Sequence, residues 1–329
     1  MPHWNFLLIS LVPMASVCIY GAGQLAGGVA EVLRARGRHE VAGPYGRLDR
    51  TQALGSGADV VVIATTTRLS DVAEDIELAV RSGSNVLVSA EECANPWLVD
   101  AALAERLHQQ AIRSTVTILG AGLNPGLIFD ALVLTILGAW PDSTQVTVTR
   151  TVDLSRFGPT VHGRLGIGYT PEGFDRGIAA DEILGHAGFP QSMSIVGRAL
   201  GRSLGRIQPR IEPILATEAI ALPDGRVIDS GFTAGVRQTY AAIHEGSPWY
   251  VANFIGHVDP VQAGLVLSDV ISLHQGDRVL QEFRASPCFP AQSGSQHVLA
   301  NSVDRVIRAP AGWLTVADLP PAASGSHVQ

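Results

Sequence analysis

Apolar and polar positions along the first 125 residues of the chain switch repeatedly between two rhythms. Val17 to Tyr20 is a short apolar run. It stops at Gly21-x-Gly23-x-x-Ala26, and Leu25, Val29, Val32 and Leu33 then recur at the spacing of one helix face. Glu40–Gly43 is expected as a short second strand. Ala58–Ala64 is a continuous apolar strand, as expected where helices cover both faces of a sheet. Asp71 to Val80 predicts a helix with Val72, Ile76, Ala79 and Val80 inward, capped by Ser70 or Asp71. Asn85–Ser89 is the next strand, Pro96 to Gln110 the next helix, and Ser114–Leu119 another strand. This alternation predicts an α/β fold with a Rossmann-like, doubly wound parallel sheet.

After about residue 140 the rhythm changes. Thr144 to Leu154 alternates with period two, which predicts a half-buried strand. Strand-like runs follow at 209–221, 232–243, 249–257 and 277–284, with a helix near 178–187. Gln296 to Arg308 reads as a helix. The expected organisation is an extension at 1–13, a dinucleotide-binding domain at 14–125, a C-terminal α+β domain with an open mixed sheet at 126–295, and a loose tail at 320–329.

Strand, glycine turn and helix in succession is the context that gives a G-x-G-x-x-G/A match its meaning. Gly21 permits the tight turn, and Gly23 lets a pyrophosphate approach the backbone. The first helical amides, from Gln24, Leu25 and Ala26, then bind phosphate. Ala26 and Gly27 let the helix lie close to the strand. The position that usually carries a ribose-binding acid falls in Val41–Arg47, which holds none. Arg47 is there instead and suits a 2′-phosphate, so NADP is the preferred cofactor; Asp49 keeps NAD open. Thr65, Thr66 and Thr67 follow the apolar strand and are expected to line the cofactor pocket.

Composition narrows the chemistry. The chain has 329 residues, 46% of them hydrophobic and 16% charged, with a net charge of −7. Two domains with substantial cores are possible, and no basic stripe suggests nucleic acid. All 23 basic residues are arginine. A Schiff-base lysine is therefore excluded, as is any tyrosine–lysine catalytic pair. Acid–base work falls to Asp, Glu, His, Tyr, Cys or water. The 3 cysteines are far apart and make neither a disulfide framework nor a zinc pattern. Reduced thiols in the cytoplasm are the expectation. The apolar run at 6–20 is short, is interrupted by Pro13 and lacks a basic lead, so neither membrane span nor signal peptide is expected. No metal site is expected.

Two further motifs sit where strands of the first sheet should end. Ser89-Ala-Glu91-Glu92-Cys93 places adjacent carboxylates at the expected nicotinamide cleft. Successive strand residues point opposite ways, so one of them should reach the substrate. Gly120-Ala-Gly-Leu-Asn124-Pro-Gly126 is a second glycine-rich turn, where Asn124 could hydrogen-bond the nicotinamide half. Structural alternatives are a helix-capping carboxylate and an ordinary Asn-Pro-Gly turn.

Glu91-Glu92-Cys93 together with Gly120-x-Gly-x-Asn-Pro-Gly126 and Asp130 resembles the 2,4-diaminopentanoate dehydrogenase family, among the dihydrodipicolinate-reductase-like oxidoreductases. The likeness continues through Val152-Asp153, Leu165-Gly-Ile-Gly168, Gly185-His-Ala-Gly188, Asn301 and Ala309 to Pro320. Gln191 stands where an acid is expected, and the loop after the second strand is shorter than usual. The resemblance implies a two-domain NAD(P)H-dependent enzyme acting on an amine, imine or ketone, with 296–319 rejoining the dinucleotide-binding domain; a homodimer is the expected assembly. It implies amine handling by Glu91 or Glu92, and it gives His186 the best claim among the histidines. The alternatives are a carbonyl reductase that needs no ammonia and a dinucleotide-binding sensor.

Overall fold

The computed structural model describes residues 14–141 and 144–323. The expected extension at 1–13 and the end of the tail, 324–329, lie outside the described residues.

The first region runs β1 (Ala15–Tyr20), α1 (Gln24–Arg36), β2 (His39–Tyr45), α2 (Arg50–Leu54), β3 (Val60–Ile63), α3 (Leu69–Arg81), β4 (Asn85–Val88), α4 (Ala101–Arg113) and β5 (Thr117–Gly120). The second runs α5 (Ala131–Leu137), β6 (Gln145–Asp153), α6 (Pro159–Arg164), α7 (Pro171–Ala179), α8 (Phe189–Ala199), β7 (Arg206–Leu215), β8 (Ile220–Ala221), β9 (Val227–Ile228), β10 (Thr233–His244), β11 (Ser247–His257), β12 (Ser268–Gln275) and β13 (Arg278–Ala285). α9 (Ala291–Arg308) and β14 (Gly312–Leu314) then return to the first region.

The first sheet is six-stranded and parallel, in the order β14-β5-β4-β3-β1-β2. Every residue of β3 is buried, because both faces are covered. One core packs Val17, Ile19, Val60 and Val62 against α1 and α9. The other packs Cys18, Val61 and Ile63 against α2, α3 and α4. Ligands of such sheets bind beyond the carboxyl ends of the strands, where the strand order reverses. Here the reversal is at β1, between β2 and β3.

The second sheet is mixed, in the order β13-β12-β6-β11-β10-β7. β6 and β11 are parallel neighbours, and the other pairs are antiparallel. Its inner face meets α5, α8 and the loops around α6 and α7 in a single core that includes Val146, Val148, Phe174, Phe189, Met193, Tyr250 and Phe254.

Several elements depart from the sequence expectation. The helix expected near 178–187 does not form; α7 ends at Ala179 and α8 begins at Phe189. Proline-led helices stand on either side, α7 capped by Thr170 and α8 begun by Phe189-Pro190. The segment between contains Gly185 and Gly188 at φ +67° and +95°, which a helix interior excludes. The helix expected from Pro96 breaks at Asp100, which caps α4 by accepting from Leu103 N at 2.9 Å. α6 and β12 were not anticipated, and α9 starts at Ala291 rather than Gln296. The close approach in α1 is made at Gly28. A Cβ there would overlap the Gln296 amide of α9 at 2.1 Å, whereas Gly27 faces open space.

Candidate active site

The glycine turn is built as the spacing requires. Gly21 has φ +139°, and a Cβ there would meet Ala64 O at 2.3 Å, so only glycine lets β1 turn against the end of β3. A Cβ on Gly23 would enter open space over the start of α1. α1 has no side-chain cap and no acid in its first turn, which leaves its positive end free for an anion. Ala26 is fully buried behind the turn.

An open cleft of about 880 Å³ adjoins this turn. Gly21, Ala22, Gly23, Arg47, Arg50, Thr65 and Thr66 are among its lining residues. Arg50 is held by Asp75 at 2.5 Å and Glu74 at 3.8 Å. Arg47 is exposed at the rim and is in no ion pair among the described residues. Asp49 lies in the same single turn of 3-10 helix as Arg47, outside the lining. The uncapped helix end, the open face above Gly23 and the unpaired arginine together fit a nicotinamide dinucleotide.

Thr67, the last of the three threonines, is turned elsewhere. Its hydroxyl accepts from Arg164 Nη1 at 3.0 Å. Arg164 Nη1 also lies 3.8 Å from Glu91 Oε1. Both side chains are largely buried, at 28% and 20% exposure.

Glu91 and Glu92 diverge, although not through strand alternation. Glu91–Ala94 is a single 3-10 turn beyond β4. Glu92 accepts from the backbone N–H of Leu69 at 2.7 Å, so its carboxylate caps α3. Ser70 and Asp71, the expected caps, do not do this; Asp71 instead accepts from Thr66 Oγ1 at 3.0 Å. Glu91 faces a second cleft of about 330 Å³. Burial pushes its carboxyl above the usual carboxylate range, opposed by Arg164 and Thr67.

This second cleft joins the two halves of the molecule. Gln24 and Leu25 of α1 and Asn124 line it together with Glu91, Arg150, Arg164 and His186. Leu123, Val152, Leu154, Phe157, Val161, Leu165 and Phe254 supply apolar walls. His186 stacks on Phe189 at 5.0 Å and contacts Phe254 at 4.8 Å. Desolvation, with the Arg164 and Arg150 charges, lowers its pKa to about 3, so its ring is neutral at physiological pH. Its backbone is clamped by Gln238, which accepts from His186 N at 2.6 Å and donates to its carbonyl at 3.0 Å.

Arg150 and Arg164 line this cleft although no motif in the sequence marks them. Arg150 is buried and donates through Nη1 to both Asp269 oxygens at 2.6 and 2.7 Å, and through Nη2 to Phe289 O at 2.7 Å. With the Asn124 amide oriented to satisfy both its ends, that side chain donates to Leu123 O at 2.7 Å and accepts from Arg150 Nε at 3.1 Å. One signal was available: Arg150 stands between Val148 and Val152 on the inward face of a period-two strand. No such signal marks Arg164. Asp130 is fully buried and braces the Asn-Pro-Gly turn, accepting from Gly126 N and Ser192 Oγ, each at 2.8 Å. His162 is also structural: its Nε2 bonds Leu154 O at 2.7 Å and its Nδ1 meets Arg226 at 2.8 Å.

A parallel sheet with a glycine-turn helix, a dinucleotide-sized cleft and a buried carboxylate beside it defines an NAD(P)-dependent oxidoreductase. Residues 127–328 match the family model described as 2,4-diaminopentanoate dehydrogenase C-terminal domain. The chain belongs to that family. It is 28% identical to the 2,4-diaminopentanoate dehydrogenase of Acetoanaerobium sticklandii, over 92% of this chain and 93% of the relative. The solved amine dehydrogenase of Mycobacterium smegmatis has a similar fold, with a TM-score of 0.77 at 19% identity, covering 95% of this chain and 98% of the other.

Proposed function

We infer that the protein is an NAD(P)H-dependent oxidoreductase acting at a C–N bond, by reductive amination of a ketone or the reverse deamination of an amine. The observation that carries this reading is Glu91. It is a largely buried carboxylate in the apolar-walled cleft that Gln24 and Leu25 line just after the glycine turn, with Arg164 Nη1 3.8 Å away. The relative's name, a diaminopentanoate dehydrogenase, points the same way.

A nicotinamide dinucleotide, when bound, supplies or accepts the hydride. Gly21, Gly23 and the amides of Gln24, Leu25 and Ala26 would hold its pyrophosphate. Thr65 and Thr66 would flank it, and Asn124 would border its nicotinamide end. Arg47 would take a 2′-phosphate, which favours NADP.

Glu91 handles the proton. Burial raises its pKa and so favours the protonated form, which can donate to the departing hydroxyl of a carbinolamine. The carboxylate so formed balances the positive iminium nitrogen. Arg164 and Thr67 oppose that shift by favouring the carboxylate. His186 serves as a neutral wall, and Glu92 holds α3 in place rather than touching substrate. The apolar walls select a substrate with a hydrocarbon body. A second copy of the chain is the expected partner in a homodimer, working in the cytoplasm.

The test is NAD(P)H oxidation with a panel of ketones, with and without ammonium. Turnover that requires ammonium supports the reading. Equal turnover without it selects a carbonyl reductase, and cofactor binding without turnover selects a sensor.

A further inference from the structure

A third hollow, of about 480 Å³ and open to solvent, lies against the substrate cleft. The two share Val152, Phe157, Ala291 and Gln292 in their linings. Val152 belongs to β6, and Ala291 and Gln292 open α9. The start of α9 is tied down by Arg150 and Asp269 through Phe289, whose N–H donates to Asp269 at 2.7 Å and whose carbonyl accepts from Arg150 at 2.7 Å. Phe157 alone among the four is a large side chain carried by a loop. That loop is a tight one, with Ser155 N donating to Asp153 Oδ1 at 2.7 Å and Phe157 N donating to Leu154 O at 3.1 Å. The ring is half-buried and packs on the core of the second region.

Beyond the ring the lining stays largely apolar. Leu267, Pro287, Cys288 and Pro290 supply its apolar part, with Gln292, Ser293 and Gln296 of α9 and the exposed Asp153 and Arg156 as its polar edges. On one side of Phe157 is the cleft with Glu91, and on the other is empty space able to hold several more methylenes.

We propose that Phe157 sets substrate length: it closes the far end of the Glu91 cleft and withholds the adjoining cavity from the substrate's hydrocarbon chain. This rests on the C–N reading for the reaction but not for the geometry. A methylene gained or lost in a hydrophobic pocket changes discrimination by about 10–200-fold, so a ring that blocks several carbons leaves a steep length profile.

The experiment compares wild type, Phe157→Leu and Phe157→Ala on straight-chain methyl ketones of increasing length. kcat/KM is measured with ammonium and NADPH, and the dissociation constants of the same ketones are measured on the NADP⁺-loaded protein. Wild type should favour short over long ketones by at least tenfold. Phe157→Ala should raise the long-to-short ratio at least tenfold, with Phe157→Leu between. Thermal melts confirm that each variant is folded. A flat length profile in wild type, or an unchanged ratio in both folded variants, overturns the proposal. If no ketone turns over with ammonium, the C–N reading fails, while the length dependence of the dissociation constants still decides the role of Phe157.

Discussion

The two clefts, one lined by Gly21 to Gly23 and the other by Gln24 and Leu25 just after them, are built in opposite ways. The dinucleotide cleft is lined by short consecutive stretches: Tyr20 to Gly23, Tyr45 to Arg47 with Arg50, Ala64 to Thr66, and Ser70, Asp71, Glu74 and Asp75 of α3. The substrate cleft is made of side chains that the fold gathers from far apart: Glu91, Asn124, Arg150, Arg164, His186 and Phe254. A site that binds phosphate through amides needs only a turn and a helix end, so it is local. A site that must tune one carboxylate needs burial and an opposing charge, and these come from distant elements. Charge placement follows the same division. The cofactor side keeps Arg47 free, whereas the substrate side ties Arg150 to Asp269 and sets Arg164 between Thr67 and Glu91.

The largest expected effect breaks the substrate side while sparing the cofactor side. Asp269→Ala leaves Arg150 buried without its carboxylate, and removing one partner of a buried pair costs about 3–5 kcal/mol. Denaturant unfolding should show a loss of that size. NADPH affinity of the protein that remains folded should hold, because the pair lies outside the dinucleotide cleft. A loss under 1 kcal/mol would mean that the second region does not depend on this pair.

Arg47→Ala sharpens the comparison from the other side. NADPH binding should weaken by about 1.5–3 kcal/mol, the scale of a hydrogen bond to a charged group, with NADH binding nearly unchanged. Titration of both cofactors checks this, and equal losses would remove Arg47 from 2′-phosphate recognition.

Glu92→Gln should have the smallest effect. It keeps an oxygen for Leu69 N–H but loses the charge at the start of α3, so stability should fall by about 0.3–1 kcal/mol. Turnover should stay within severalfold of wild type.

This division also explains what could be read in advance. The parallel sheet and the glycine turn follow from local periodicity and turn chemistry, whereas the return of the C-terminal segment follows from the family resemblance. Val60–Ile63, for example, is apolar throughout because helices cover both its faces. The helix expected at 178–187 was lost to two left-handed glycines, while Thr170-Pro171 and Phe189-Pro190 were start signals that went unread. At the candidate site, the motif Glu91-Glu92 was visible but the choice between the two was not. It depends on Leu69 N–H and Arg164, which lie 23 residues before Glu92 and in another region of the fold. Periodicity says nothing about such partners. Arg150 was the exception, a charge on an apolar strand face that had to have a buried counter-ion.

The pH dependence of stability carries the same distinction. Glu91 has a folded pKa above its unfolded one, so the folded state favours its protonated form. That contribution is complete at acid pH and is lost as pH rises through the folded value. Glu91→Gln should therefore melt higher than wild type at alkaline pH, with the gain shrinking as the pH falls toward the ordinary glutamate range.

The central claim is that Glu91 carries the proton and Glu92 holds a helix. It is tested most directly by kcat of Glu91→Gln beside Glu92→Gln, on one ketone with ammonium and saturating NADPH. Removing a positioned acid or base typically costs about 10²–10⁴-fold. The account predicts a loss of at least a hundredfold for Glu91→Gln with unchanged NADPH affinity, and near-wild-type turnover for Glu92→Gln. Near-wild-type turnover in Glu91→Gln, or a larger loss in Glu92→Gln, would contradict it.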